Sequence, residues 1–269
     1  MGASFPLVKG KTLRLTKING CGMPIAGARN RLVTNGYVSL ALTAVMRDAT
    51  DLTQDNAEGK ECVVDRTEPE RRWYTPALEL CQVDPDVVTM LTGWETILDG
   101  AGEVVGFRDD KRIESDYGVA FELWTSGKSE DDCPEVPTSD AILTDTSSGR
   151  KYGYFLFGGT EWVPGDITIG ASVATLTLTG RTIALPHWGR GPYNVTTDDG
   201  TPAGDPVRLI DPTSKKEHLT VFRTPLAPPD ATDGAVALAT STIFTGVNYY
   251  YGGPASEPAI DTAPAQVAA

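Results

Sequence analysis

The sequence predicts a mainly β protein: a two-sheet β-sandwich or barrel-like fold with one flanking α-helix and long loops. Three observations support this. Several segments alternate apolar and polar residues, one segment has helical start and stop signals, and stretches rich in Gly, Pro, Asp and Thr separate them. Alternating strands need a second layer over their apolar faces, and one helix cannot cover them all.

Strand-like alternation recurs along the whole chain. The predicted strands are Lys11–Lys17, Tyr37–Val45, Trp73–Cys81, Gly118–Trp124, Lys151–Phe157, at least two within Asp166–Leu185, and His218–Arg223. Within Asp166–Leu185, Gly180 and Arg181 indicate a bend or bulge. Glu79 and Glu122 alternate with core-facing residues, so we expect both carboxylates to be solvated or to face an interface.

One helix is predicted, at about residues 84–92. Asp84 is a suitable N-cap, Pro85 fits the first helical position, and Gly93 is placed to end the helix. Val87, Met90 and Leu91 fall on one face, which suits packing on a sheet.

Loops and a change of composition suggest the domain organisation. Predicted loops lie at residues 47–60, 127–139 and 189–206, and the last 18 residues have low complexity. We therefore divide the chain into a domain over residues 1–225 and a Pro/Ala/Gly-rich extension over residues 226–269. The first 47 residues of the domain form a basic N-terminal segment that includes the first strands.

The charge distribution is uneven. The formal net charge is −13, which disfavours tight binding to nucleic acid. Residues 1–47 nevertheless contain seven Lys or Arg and no Asp or Glu, whereas residues 48–140 contain eight basic and 24 acidic residues. The two regions have the complementary charges needed to attract one another, either within one chain or between copies.

The sequence offers little for catalysis. It contains two histidines, His187 and His218, and none of the common nucleophile, phosphate-loop or zinc motifs. Its cysteines are too far apart for a zinc site, so we expect free thiols with packing roles; they are Cys21, Cys62, Cys81 and Cys133. We predict no enzyme, no cofactor and no metal. The five tryptophans are expected mainly in the core or in subunit contacts.

No membrane or export signal is evident. The chain has no apolar run of 18 residues, and its N-terminal segment has no apolar region typical of a secretory signal. We expect the protein to be made in the cytoplasm.

Three stretches together resemble a known family. The first contains Gly20–Pro24 and Asn35–Leu40; the second contains Gly59–Cys62, Glu79–Pro85, Met90–Gly93 and Gly102–Phe107; the third contains Tyr152–Phe155, Gly165–Ile169, Leu178–Thr182 and Trp188–Tyr193. Their order and spacing, over about residues 1–225, resemble the major tail proteins of long-tailed, non-contractile phages that infect actinobacteria.

This resemblance implies a structural virion protein. Such tail tube subunits form hexameric rings that stack head to tail into a hollow tail, and their fold has two packed β-sheets with a flanking helix. The tube houses the tape measure protein and conducts genome DNA without binding it specifically, and it joins tail terminator and distal tail proteins. The expected location is the virion tail, after assembly in the host cytoplasm.

Combining the resemblance with the charge distribution gives candidate contacts between rings. The basic residues Lys9, Lys11, Arg14 and Lys17 would meet the acidic middle of a neighbouring subunit and set the polarity of stacking. The alternatives are that the two regions pair within one subunit, or that the basic segment lacks acidic residues by chance. Alternatives for the function are another ring-forming tail protein, distal tail or terminator, and a glycan-binding β-sandwich module that uses the tryptophans.

Overall fold

The computed structural model describes residues 9–25, 27–126, 152–165, 175–186, 188, 196–197, 206–207, 213–224 and 226–238. Its elements are β1 (Lys9–Ile18), β2 (Gly27–Thr34), β3 (Tyr37–Met46), β4 (Asp51–Asp55), β5 (Glu61–Arg66), β6 (Arg71–Leu80), α1 (Pro85–Thr92), β7 (Glu95–Leu98), β8 (Val104–Arg108), β9 (Gly118–Ser126), β10 (Tyr152–Pro164), β11 (Leu176–Ile183), β12 (Thr196–Thr197), β13 (Pro206–Val207), β14 (Thr220–Thr224) and β15 (Val236–Leu238). The prediction of a mainly β fold with one flanking helix is confirmed for these residues.

Nine of the described strands form the main sheet. Their order is β15-β2-β1-β9-β10-β11-β6-β3, and β14 also pairs with β10. Every pairing between these strands is antiparallel. Three two-stranded sheets accompany it: β4 with β5, β7 with β8, and β12 with β13.

The central strands have a buried core on each face because their side chains alternate. On β9, Phe121 belongs to a core with residues of β1, β2, β6, β10, β11 and the helix. Trp124, on the opposite face of β9, belongs to a second core with Tyr154, Leu185 and Trp188. Strands β2 and β6 lie far apart in the strand order but contribute to the same core, so helix and sheet together enclose it.

The helix begins and ends as the sequence predicts. The Asp84 carboxylate accepts a hydrogen bond from the Asp86 N–H at 2.9 Å, and Pro85 occupies the first turn. Gly93 ends the helix at φ 76°, and its N–H donates to the Thr89 carbonyl. Val87, Met90 and Leu91 are buried in the first core.

The predicted bend at Gly180 and Arg181 is wrong, because the irregularity lies on the partner strand. Strand β11 continues through both residues, whereas β10 gains one residue between Thr160 and Val163. The extra residue makes a bulge in which Glu161 has φ 56°. Gly180 faces it, and a Cβ at this glycine would lie 2.8 Å from the Trp162 ring.

Other predictions also need correction. The expected loops at residues 47–60 and 189–206 contain β4 and β12, and the alternation predicted no strand at β2, β5, β7, β8, β13 or β15. Within the predicted extension from residue 226, β15 (Val236–Leu238) pairs with β2 in the main sheet. The loop at residues 127–139, most of that at 189–206 and the last 18 residues lie outside the described residues.

Candidate functional site

The most exposed feature is a long hairpin, here called the arm, which comprises residues 47–70. Strands β3 and β6 pair up to Met46 and Arg71, and the ladder resumes with Asp51 opposite Arg66 in β4 and β5. Every residue from 46 to 72 whose burial is described is exposed. At about 3.3 Å per residue, each side of the arm spans roughly 30 Å.

The arm has a defined turn although its described residues are all exposed. The Asn56 side chain accepts hydrogen bonds from the Glu58 and Lys60 N–H groups at 2.9 and 3.0 Å. The Asn56 N–H donates to the Lys60 carbonyl at 2.7 Å. Leu52 and Val64 are 61% and 63% exposed, so the arm presents apolar side chains as well as charges. These exposed apolar groups are available for contact with another surface.

Strand β3 forms a free edge of the main sheet. Among the described strands it pairs with β6 alone, so ten residues present unpaired backbone groups along one side. Val38 and Met46 on this strand are more than half exposed. Such an edge is a ready template for a strand from another molecule.

The four predicted contact residues separate into different environments. Lys9 and Lys11 are exposed at the start of β1. The Lys17 ammonium lies 4.4 Å from the Tyr117 ring centroid, and burial lowers its pKa while Glu114 partly offsets this effect. Arg14 is only 8% exposed, and its guanidinium contacts Glu122 within the same chain.

The expectation of a solvated or interface-facing Glu122 is wrong. This carboxylate is fully buried and lies opposite Arg14 in the β1–β9 ladder. The Arg14 Nε and Nη2 groups donate to its two oxygens, and the Tyr154 hydroxyl donates to Oε1 at 2.7 Å. Burial, followed by the charge of Glu122, raises the pKa of Tyr154 well above 10. Glu79, by contrast, is partly exposed and accepts a hydrogen bond from Ser39 at 3.0 Å.

Part of the charge complementarity is satisfied within the chain. The Arg14–Glu122 pair and the pair between Arg29 and Asp86 both join the basic segment to the acidic middle. The Asp86 carboxylate also accepts a hydrogen bond from the Ala235 N–H at 2.7 Å. It therefore ties β2, the helix and the approach to β15 together.

The tryptophans are mostly internal. Trp124, Trp162 and Trp188 are at most 2% exposed, which confirms core roles for these three. Trp73 and Trp94 are half-buried. A carbohydrate groove built on all five rings is therefore incompatible with the fold.

The cysteines differ from the prediction. Cys21, Cys62 and Cys81 are free, as expected, but all three are exposed, so the expected packing roles are wrong for them. They lie in a turn, on the arm and just after β6. Cys133 and His187 lie outside the described residues.

Two open clefts lie on the surface near Tyr117. One has a volume of about 500 Å³ and includes Glu161 and Arg181; the other has about 470 Å³ and includes Arg29 and Asp86. In each cleft a guanidinium is already paired with a carboxylate. Within the described residues, no group of three or more His, Cys, Asp or Glu side chains is arranged to hold a metal, and no helix is long and apolar enough to cross a membrane.

Comparison with known proteins gives no family. No protein-family model matches the sequence, and no curated protein matches it significantly.

Proposed function

We propose that this protein is a structural subunit of a phage tail tube, without catalytic activity. In this proposal the subunits form hexameric rings that stack head to tail, house the tape measure protein and conduct DNA during ejection. The tube would join terminator and distal tail proteins, within a virion tail assembled in the host cytoplasm. The proposal unites the sequence resemblance with the surfaces of the described residues.

The observation that carries the proposal is the free edge β3 continued by the exposed arm. A ten-residue edge and a long hairpin with exposed apolar side chains would be aggregation hazards on a protein that stays monomeric. In a polymer of identical subunits the same surfaces become contacts. Because arm and body are different surfaces, head-to-tail contacts between them need not close and can extend into a tube.

The charge of the chain suits a conduit for DNA. At −13 for each subunit, a ring of six has a large negative charge, and we propose that the wall of its lumen is acidic. An acidic wall cannot neutralise phosphates, which is the main source of nonspecific DNA binding. Genome DNA would then pass without adhering.

The alternatives differ in what they require. Another ring-forming tail protein, such as a distal tail or terminator protein, would use the same surfaces but stop at one ring. A glycan-binding module would need exposed aromatic platforms, yet three of the five tryptophans are buried. The tail tube is therefore the better proposal of these.

Negative-stain electron microscopy of the purified protein tests the proposal. We expect long tubes of uniform width. A matched variant in which a two-residue turn replaces residues 51–66 should fold, as judged by circular dichroism, and yield no tubes. Single rings from the full chain would favour a terminator or distal tail protein, and monomers that bind glycans would contradict the proposal.

A further inference from the structure

Three guanidinium groups and two aromatic rings gather where β6 begins. The Trp73 ring centroid lies 5.7 Å from the Arg72 guanidinium and 5.6 Å from that of Arg181. The Arg71 guanidinium lies 4.5 Å from the Tyr74 ring centroid and donates a hydrogen bond to the Tyr74 hydroxyl at 2.7 Å. These five residues are called the arginine–aromatic cluster below. These contacts hold the Arg72 and Arg181 guanidinium groups at the Trp73 ring and that of Arg71 at the Tyr74 ring before any partner arrives.

The cluster is a positively charged patch on an acidic protein. Among the described residues, neither Arg71 nor Arg72 forms an ion pair with a carboxylate, whereas Arg181 is paired with Glu161 at 2.8 Å. Arg71 and Arg72 are exposed, and Trp73 and Tyr74 are half-buried. Arginine, tryptophan and tyrosine are the residues most enriched at the energetic centres of protein interfaces. The composition and the charge both point to an acidic protein partner.

The arm has the complementary feature. It contains eight acidic and three basic residues. Each basic residue is within 4 Å of one acid of the arm: Arg47 with Glu70, Lys60 with Glu58, and Arg66 with Asp51. The other five acids have no cationic partner among the described residues; they are Asp48, Asp55, Glu61, Asp65 and Glu68.

The arm of the same chain is unsuited to fill the cluster. The two strands of the arm continue the β3–β6 ladder away from Arg71, and their pairing from Asp51–Arg66 to Asp55–Glu61 keeps the hairpin extended. Folding the distal acids back onto Arg71 and Arg72 would break this ladder. A second copy of the chain can bring its arm to the cluster with the hairpin intact.

We propose that the arm of one subunit docks on the arginine–aromatic cluster of a second copy of this chain. This inference rests on the proposed self-assembly and names the residues that join the copies. The unpaired carboxylates of the arm would meet Arg71 and Arg72, and its exposed Leu52 or Val64 would pack against the half-buried rings. Donor and acceptor are different surfaces, so each subunit can give one arm and accept another.

Individual exposed ion pairs contribute little to the stability of a contact. Docking therefore requires several pairs and the aromatic contact together, repeated around an assembly so that avidity accumulates. We also expect salt to weaken the docking of the arm strongly, because exposed charges are screened within about 10 Å at 0.1 M ionic strength.

Two charge-reversal variants test the docking. One variant reverses the cluster (Arg71→Glu and Arg72→Glu), and the other reverses the arm (Asp55→Lys, Glu61→Lys, Asp65→Lys and Glu68→Lys). Each alone should be a folded monomer in sedimentation velocity, because like charges meet at every contact. Mixed in equal amounts they should assemble again, since the acidic arm of the first meets the intact cluster of the second and the lysine arm of the second meets the glutamates of the first. The control Arg108→Glu with Lys111→Glu, at two exposed positions elsewhere, should assemble like wild type.

The outcomes separate this inference from the proposed tube. Tubes that form normally from both variants would overturn the docking and leave the tube standing. Association of the two variants in the mixture, with no tubes from wild type, would support the docking and contradict the tube. A mixture of folded variants that stays monomeric would overturn the docking. The docking would also be overturned if a single-stranded oligonucleotide bound wild type, failed to bind the cluster variant and left self-association unchanged.

Discussion

Arg14 and Glu122, 108 positions apart in the chain, form a buried ion pair between β1 and β9. The two guanidinium nitrogens contact both carboxylate oxygens, and the Tyr154 hydroxyl donates to the same carboxylate. Two charges inside a sheet that is apolar on either side are stable only together. In the observed register of β1 against β9, Arg14 lies directly opposite Glu122, which brings the two charges together.

Removing one charge of this pair should be costly. Glu122→Gln leaves the buried Arg14 cation without its counterion, so we expect the free energy of unfolding in urea to fall by about 3–5 kcal/mol. The control Glu79→Gln changes a strand glutamate at the surface and should cost no more than about 0.5 kcal/mol. A double replacement of Arg14 and Glu122 by leucine should regain much of the loss. Equal effects at Glu122 and Glu79 would contradict the interior pairing.

The bulge opposite Gly180 gives a second prediction. Gly180→Ala places a Cβ 2.8 Å from the Trp162 ring and 3.0 Å from the Thr160 carbonyl oxygen. Overpacking of this kind should cost about 1–3 kcal/mol of unfolding free energy. Gly100→Ala is the matched control, because a Cβ there meets nothing within 4 Å. Similar thermal midpoints for the two variants would rule out close packing of Trp162 on β11.

His218 should contribute a pH dependence to stability. Burial, followed by the charges of Arg71 and Arg181, lowers the pKa of His218 below its usual 6.5, and its Nδ1 lies 3.0 Å from the Thr182 hydroxyl. The unfolded chain therefore binds the proton first as the pH falls below about 6.5, and the folded state loses stability from there down to the lowered pKa.

The comparison of wild type with His218→Gln isolates this effect from the other titrating groups. Urea unfolding at a series of pH values should give a difference in stability between the two proteins that changes below neutral pH, with wild type losing relative stability. A difference that stays constant through mildly acidic pH would refute the role of His218.

The basic N-terminal strand supports a prediction about tube growth. Reversing Lys9, Lys11 and Lys17 to glutamate should slow polymerisation followed by light scattering, because the charges that attract an acidic neighbour are inverted. Arg14 is left unchanged, since its charge is used inside the subunit. Growth at the wild-type rate in both low and high salt would show that these lysines do not contribute to the stacking contacts. It would not contradict the docking of the arm on the arginine–aromatic cluster.

Local patterns predicted the elements that have one apolar face. The helix at Pro85–Thr92 follows from Asp84, Pro85 and Gly93, and most long strands follow from their alternation. The arm was missed for a physical reason: no face of β4 is buried, so nothing in its sequence has to alternate. Strand β15, with three residues, is too short for any pattern to identify.

By itself, the sequence determined the mainly β class, the helix and its ends, and the segregation of charge. Only the tertiary structure decided which charges are satisfied within the subunit. Alternation placed Glu122 opposite the apolar side chains of its own strand, but a central strand of this sheet has a core on both faces. Its partners Arg14 and Tyr154 come from strands distant in the chain. Strand pairing, which depends on contacts between distant segments, placed one arginine of the basic strand in the interior and left Lys9 and Lys11 at the surface.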